Sequence, residues 1–160
     1  MTWGNPPPFK PDPPKKGKKI TPEDLAASGS EDGNQAAVFC WAADEVIAGR
    51  YPQLQWMFAI PNGGSRHIAE ATKFVGTGIR SGVPDIFLPT VQPNEKFKTY
   101  YAGCFIEMKA EKRRGQKNGG VEENQIEYME YLASSGYYCK VCYSWTEARD
   151  TLIAYLEGKL

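Results

Sequence analysis

Apolar positions recur along this 160-residue chain with a period that changes from segment to segment. In "SEDGNQAAVFCWAADEVIAGRYP", Val38, Trp41, Ala42 and Glu45–Val46 follow helical spacing. Ser30 suits the N-cap and Gly49 closes the segment, so a helix is predicted over about 31–48. "LQWMFAIP" predicts a short strand stopped by Pro61, "NGG" a turn, and "SRHIAEATKFVGTG" a second helix from Ser65 to Gly76 or Gly78. "GVPDIFLP" is a strand bounded by prolines, and "TVQPNEKFKT" a hairpin-like connection into the strand "YYAGCFIEMKA". The polar "EKRRGQKNGGVE" predicts a mobile loop. "EENQIEYMEYLASSG" carries Ile126, Met129 and Leu132–Ala133 on one helical stripe that ends at Gly136. "YYCKVCYS" is a last strand and "WTEARDTLIAYLEGKL" a final amphipathic helix. The order α-β-α-β-β-α-β-α predicts an α/β fold, a mixed sheet flanked by helices. The pattern shows no internal repeat and leaves the order of strands open.

Composition trims this picture at one end. Residues 1–24 hold most of the prolines and the lysine run Lys15, Lys16, Lys18 and Lys19, a composition that buries too little apolar area to order itself. A solvated or partner-touching tail is expected there, with one folded domain over 25–160. No apolar leader segment or membrane-length run stands out, so a cytoplasmic protein with reduced thiols is expected. Nineteen basic residues balance nineteen acidic ones, so any surface for an anionic partner must come from local clustering. Cys139-x-x-Cys142 could be half a zinc site, but a strand would point the two side chains to opposite faces and no second cysteine pair exists, so none is expected.

One stretch breaks the binary pattern. In "CFIEMKA", Ile106 and Met108 share one strand face, while Glu107 and Lys109 share the other. Asp85 opens the preceding strand, and consecutive strands are usually neighbours, so Asp85 and Glu107 can stand side by side. Two adjacent carboxylates repel unless a cation is shared between them, and hard oxygen donors suit Mg²⁺ or Mn²⁺. Such an ion, with Lys109 stabilising charge on a phosphate, would provide the parts for phosphodiester hydrolysis. The competing reading makes Glu107 and Lys109 an exposed ion pair on an edge strand, with Asp85 capping a turn after Pro84.

Arg66, Lys73, Arg80, Lys112, Arg113, Arg114 and Lys117 flank these residues in sequence and are candidate phosphate contacts. Arg66 and Lys73 could instead only solvate a helix face, and "EKRRGQK" could be a plain mobile loop. His67, the only histidine, reads as structural or phosphate-contacting. Trp41, Trp56, Tyr128 and Tyr131 read as core or interface residues. No base-reading motif is evident, so recognition of DNA shape is expected.

"GVPDIFL" followed by "FIEMKA" resembles the PD-(D/E)xK nuclease superfamily, and more narrowly its VRR-NUC branch. The likeness takes in Glu31 and Gln35, "IPNGGSR", "GIRSGVPD" and "ENQIEYMEYL" with Gln125, from roughly Glu31 to the last helix. The resemblance implies a restriction-endonuclease-like fold and a Mg²⁺- or Mn²⁺-dependent endonuclease. It makes Asp85, Glu107 and the main-chain carbonyl of Met108 metal ligands, approached by Glu31 directly or through water. Lys109 would be the catalytic lysine, and Gln125 would position the site. It further implies action on branched, flap or junction DNA in repair or recombination, in a bacterial cell or phage-infected host, with a homodimer as a plausible assembly. The spacer "TVQPNEKFKTYYAG" is longer than the family pattern, and Glu123-Asn124 replaces its usual serine or threonine before the glutamine. A sequence-specific restriction endonuclease and a non-catalytic DNA-binding accessory protein are the alternative functions.

Overall fold

The computed structural model describes residues 19–61 and 76–160. Four strands form one mixed sheet in the order β1-β2-β5-β6. They are β1 (Phe58–Ala59), β2 (Ile86–Leu88), β5 (Cys104–Met108) and β6 (Tyr138–Cys142). The first three pair antiparallel and β5 pairs parallel with β6. A parallel pair requires a crossover, and helix α3 (Glu123–Ser134) supplies it. The expected mixed α/β sheet is therefore present.

One sheet face is apolar throughout. Ile86, Leu88, Cys104, Ile106, Met108 and Cys142 meet Val38, Trp41 and Ala42 of helix α2 (Glu31–Ile47) and Ala148, Leu152 and Tyr155 of helix α4 (Trp145–Leu156). Trp41 is thus a core residue, whereas Trp56 and Tyr131 are exposed. Ser30 and Ser144 cap these helices by accepting the Gly33 and Glu147 amides.

Several segments depart from expectation. "LQWMFAIP" is not one strand: Pro52, with its preset φ, starts a 3-10 turn over Pro52–Trp56, which buries Leu54 and leaves only Phe58–Ala59 extended. The strand expected from Tyr100 to Ala110 is split at Gly103. A side chain there would meet the Phe87 ring at 2.6 Å, so the chain turns closely under that ring before β5 begins. Upstream of the split, β3 (Gln92–Asn94) and β4 (Thr99–Tyr101) form a separate hairpin. The expected loop at 111–122 holds a 3-10 turn over Glu111–Arg113 and a tight turn over Lys117–Gly120, where Asn118 and Gly119 take left-handed φ of +54° and +66°. Helix α1 (Pro22–Ala26) crosses the expected boundary at residue 24, started by a Thr21–Asp24 capping box. The helix expected after Ser65 falls almost wholly on 62–75, outside the described residues, as do residues 1–18 of the tail.

The core face fixes the sheet against α2 and α4, so truncation there should be felt globally. Leu152→Ala is expected to cost about 2–5 kcal/mol, measured as a fall in urea midpoint, while the exposed Tyr131→Ala should stay within about 0.5 kcal/mol of the parent.

Candidate active site

β5 is an inner strand with partners on both edges, so the competing picture of an exposed edge-strand ion pair fails. Glu107 is 1% exposed and Lys109 3%. The register pairs Ile86 with Ile106, which sets Asp85 beside Glu107 at the end of the β2–β5 ladder. Asp85 is held on both its groups: its Oδ2 accepts the Met108 amide at 2.8 Å, and its carbonyl accepts the Ile60 amide at 2.7 Å.

Around Glu107 the polar contacts are unequal. Lys109 Nζ lies 2.7 Å from Oε1, and Gln125 Nε2 donates to the same oxygen. The buried Oε2 has no hydrogen-bond partner. Burial, followed by the charge of Asp85, pushes the Glu107 carboxyl up to about 7 against the opposing pull of Lys109. Glu31, at the first position of α2, accepts the Ala110 amide at 3.3 Å and adds a further negative charge. These groups line an open cleft of about 640 Å³, together with Gln35, Ser81, Gly82 and Asn124.

The donor set fits a hard divalent ion. A buried carboxylate oxygen without a partner, next to a second carboxylate, is an electrostatic deficit that a cation would fill. Among the described residues no three Asp, Glu, His or Cys side chains make a metal cluster by themselves, so backbone oxygen and water would complete the shell.

A family model described as the VRR-NUC domain matches residues 43–145, more than half the chain. The chain belongs to the VRR-NUC domain family. The matched segment holds Asp85, Glu107, Lys109 and Gln125, while Glu31 and Gln35 precede it. A solved structure titled "VRR_NUC domain protein" is similar at 25% identity and a TM-score of 0.60, over 80% of this chain and 88% of that one. No curated protein matches the chain. The VRR-NUC assignment makes this a nuclease-family domain.

Within the VRR-NUC domain the expected phosphate contacts separate. Arg66 and Lys73 lie outside the described residues, as does His67. Arg80 and Lys112 are exposed beside the site elements. Arg113 and Arg114 are held by the chain's own carboxylates. Arg114 pairs with Glu111 and Glu147 and lies 4.2 Å above the Tyr143 ring, because the turn brings those acids to it. Arg113 pairs with Glu122 at 3.0 Å and Glu31 at 3.6 Å, so it joins the two helix starts that wall the cleft.

Apart from one spacing, the sequence does not reveal the roles of Glu122, Gly82 and Asn124. Glu122 N-caps α3, and Gln125 Oε1 accepts its amide at 3.0 Å, so the capping box fixes the glutamine that grips Glu107. The E-x-x-Q spacing carried that signal. Gly82 has φ +91° and a side chain there would lie 2.6 Å from the Asn124 carbonyl, while Asn124 Nδ2 donates to Ser81. The approach to Asp85 is thereby docked on the start of α3.

The raised Glu107 pKa has a stability consequence. The folded chain retains a proton that a carboxyl at 4.5 would release, so ionising Glu107 opposes folding. Metal-free protein in EDTA should lose on the order of 3 kcal/mol as pH rises from about 5 to 8, and Glu107→Gln should flatten that part of the melting profile. Arg113→Ala is expected to tighten divalent-cation binding, read by calorimetry, because it removes a positive charge that partly neutralises Glu31 at the cleft. Arg113→Lys, which keeps that charge, should bind as the parent does.

Proposed function

We propose that this chain is a Mg²⁺- or Mn²⁺-dependent deoxyribonuclease of the PD-(D/E)xK type that hydrolyses phosphodiester bonds, with preference for branched, flap or junction DNA in repair or recombination. The observation that carries the reading is the unpartnered buried oxygen of Glu107, on an inner strand that sets Asp85 beside this residue and Lys109 on its other oxygen. Asp85, Glu107 and the Met108 carbonyl would hold the ion, with Glu31 reaching it directly or through water. Bound there, the ion would supply Lewis acidity toward phosphate and a water of lowered pKa.

The chain's own residues account for the remaining tasks. Gln125 and Lys109 both engage Oε1 and so leave the other, buried oxygen of Glu107 without a partner and open to coordination. Lys109 has only donors, and its charge in a buried setting opposes negative charge that grows on a phosphate in the transition state. Exposed Arg80 and Lys112 suit backbone contact, which favours shape over sequence as the basis of recognition. A homodimer would let two such sites address two strands.

The test is a cleavage assay with Mg²⁺, Mn²⁺ or EDTA on single-stranded, duplex, flap and four-way-junction DNA. Metal-dependent cutting of branched substrates is expected, reduced at least ~100-fold in Lys109→Ala. Asp85→Asn should lose both cutting and metal affinity. A fully active mutant removes the proposed site. Cutting of plain duplex at one short sequence points to a restriction enzyme, and salt-sensitive binding without cutting points to an accessory protein.

A further inference from the structure

The lengthened spacer between Asp85 and Glu107 builds a feature that the nuclease reading does not use. The β3–β4 hairpin has a rooted base and an aromatic tip. At the base, Tyr101 packs edge-on against Tyr138 at 5.5 Å, Gln92 Nε2 donates to the Leu156 carbonyl at 3.2 Å, and Tyr155 donates to the Thr90 carbonyl at 2.6 Å. Phe97 at the tip and Tyr100 along β4 are each 66% exposed. Lys96 Nζ stands 5.2 Å from the Phe97 ring centroid. Lys98 has φ +55°, a left-handed conformation that glycine or asparagine adopts more cheaply by about 1 kcal/mol. A lysine therefore occupies a position that backbone preference would give to another residue.

Between this hairpin and the end of α3 runs a groove of about 430 Å³, lined by Phe97, Tyr100, Tyr101, Tyr137 and Tyr138. Tyr137 packs edge-on against Phe105 at 5.3 Å, and Phe105 stands two residues before Glu107 on the same sheet face. The hairpin leaves the opposite end of β5 from Glu107, a span on the order of 15–20 Å, or about five nucleotides at duplex rise.

We propose that the Gln92–Tyr101 hairpin and its aromatic groove bind an unpaired DNA strand, stacking bases on Phe97, Tyr100 and Tyr137 while Lys96 and Lys98 meet the phosphates. This rests on the nuclease reading and names the part of the substrate that it leaves open, the single-stranded arm. Exposed rings interleaved with cations match the chemistry of a single strand, whose bases present free faces. Duplex bases are stacked already and offer none. A second copy of this chain fits less well, because protein interfaces are depleted in lysine.

The experiment measures anisotropy of a labelled oligothymidylate and of a duplex of equal length with the full chain in EDTA, over a salt series. Phe97→Ala with Tyr100→Ala is expected to weaken single-strand binding at least ~10-fold and leave the duplex nearly unchanged. Lys98→Gly, which relaxes the turn, should shrink the salt slope for the single strand by about 0.7 without lowering Tm. Unchanged single-strand affinity in these variants overturns the inference. So does a wild-type dimer, seen by sedimentation, that the aromatic variant dissociates. Failure of the nuclease reading looks different: wild type then cuts nothing with any metal, while the strand-binding difference stays measurable.

Discussion

The site depends on a carboxylate that the fold buries before anything is there to neutralise it fully. Glu107 lies on an inner strand, covered on both edges by neighbours and faced by a second carboxylate. Lys109 and Gln125 satisfy one of its oxygens only. Burying a charge on those terms is costly, and the cost is met by the apolar face behind it, where Ile106 and Met108 are fully packed against α2 and α4. Stability and chemistry thus share one strand, divided by the alternation of side chains across it.

The surrounding elements hold that strand in register. Asp85 is tied to Met108 through a side-chain to main-chain hydrogen bond, so the two acidic positions cannot slip relative to each other without losing it. Gly82 and Asn124 dock the approach to Asp85 on α3, and Arg113 spans Glu31 and Glu122. These contacts join the β2 entry, the start of α2 and the start of α3, which are remote in sequence, around one cleft.

Much of this was legible in the chain. The break in the binary pattern at Glu107 and Lys109, the strand opener at Asp85 and the helix at 123–134 all follow from periodicity and local chemistry. The centrality of β5 did not, because a strand buried on both edges and an edge strand with one ion pair share the same alternation. The pairing of Arg113 and Arg114 was equally invisible: a run of basic residues does not say which acids the fold will bring to it. The apolar run from Leu54 to Pro61 predicts one strand, but Pro52 starts a 3-10 turn that takes its first three residues, Leu54–Trp56.

Gln125 serves two structures at once. Its carbonyl oxygen closes the first turn of α3 and its amide grips Glu107. Helix ends open more readily than helix centres, so a fluctuation that frays this one also releases the carboxylate. The ordering of the Glu107 side chain is therefore coupled to the stability of a single helical turn, with Lys109 as its remaining hold.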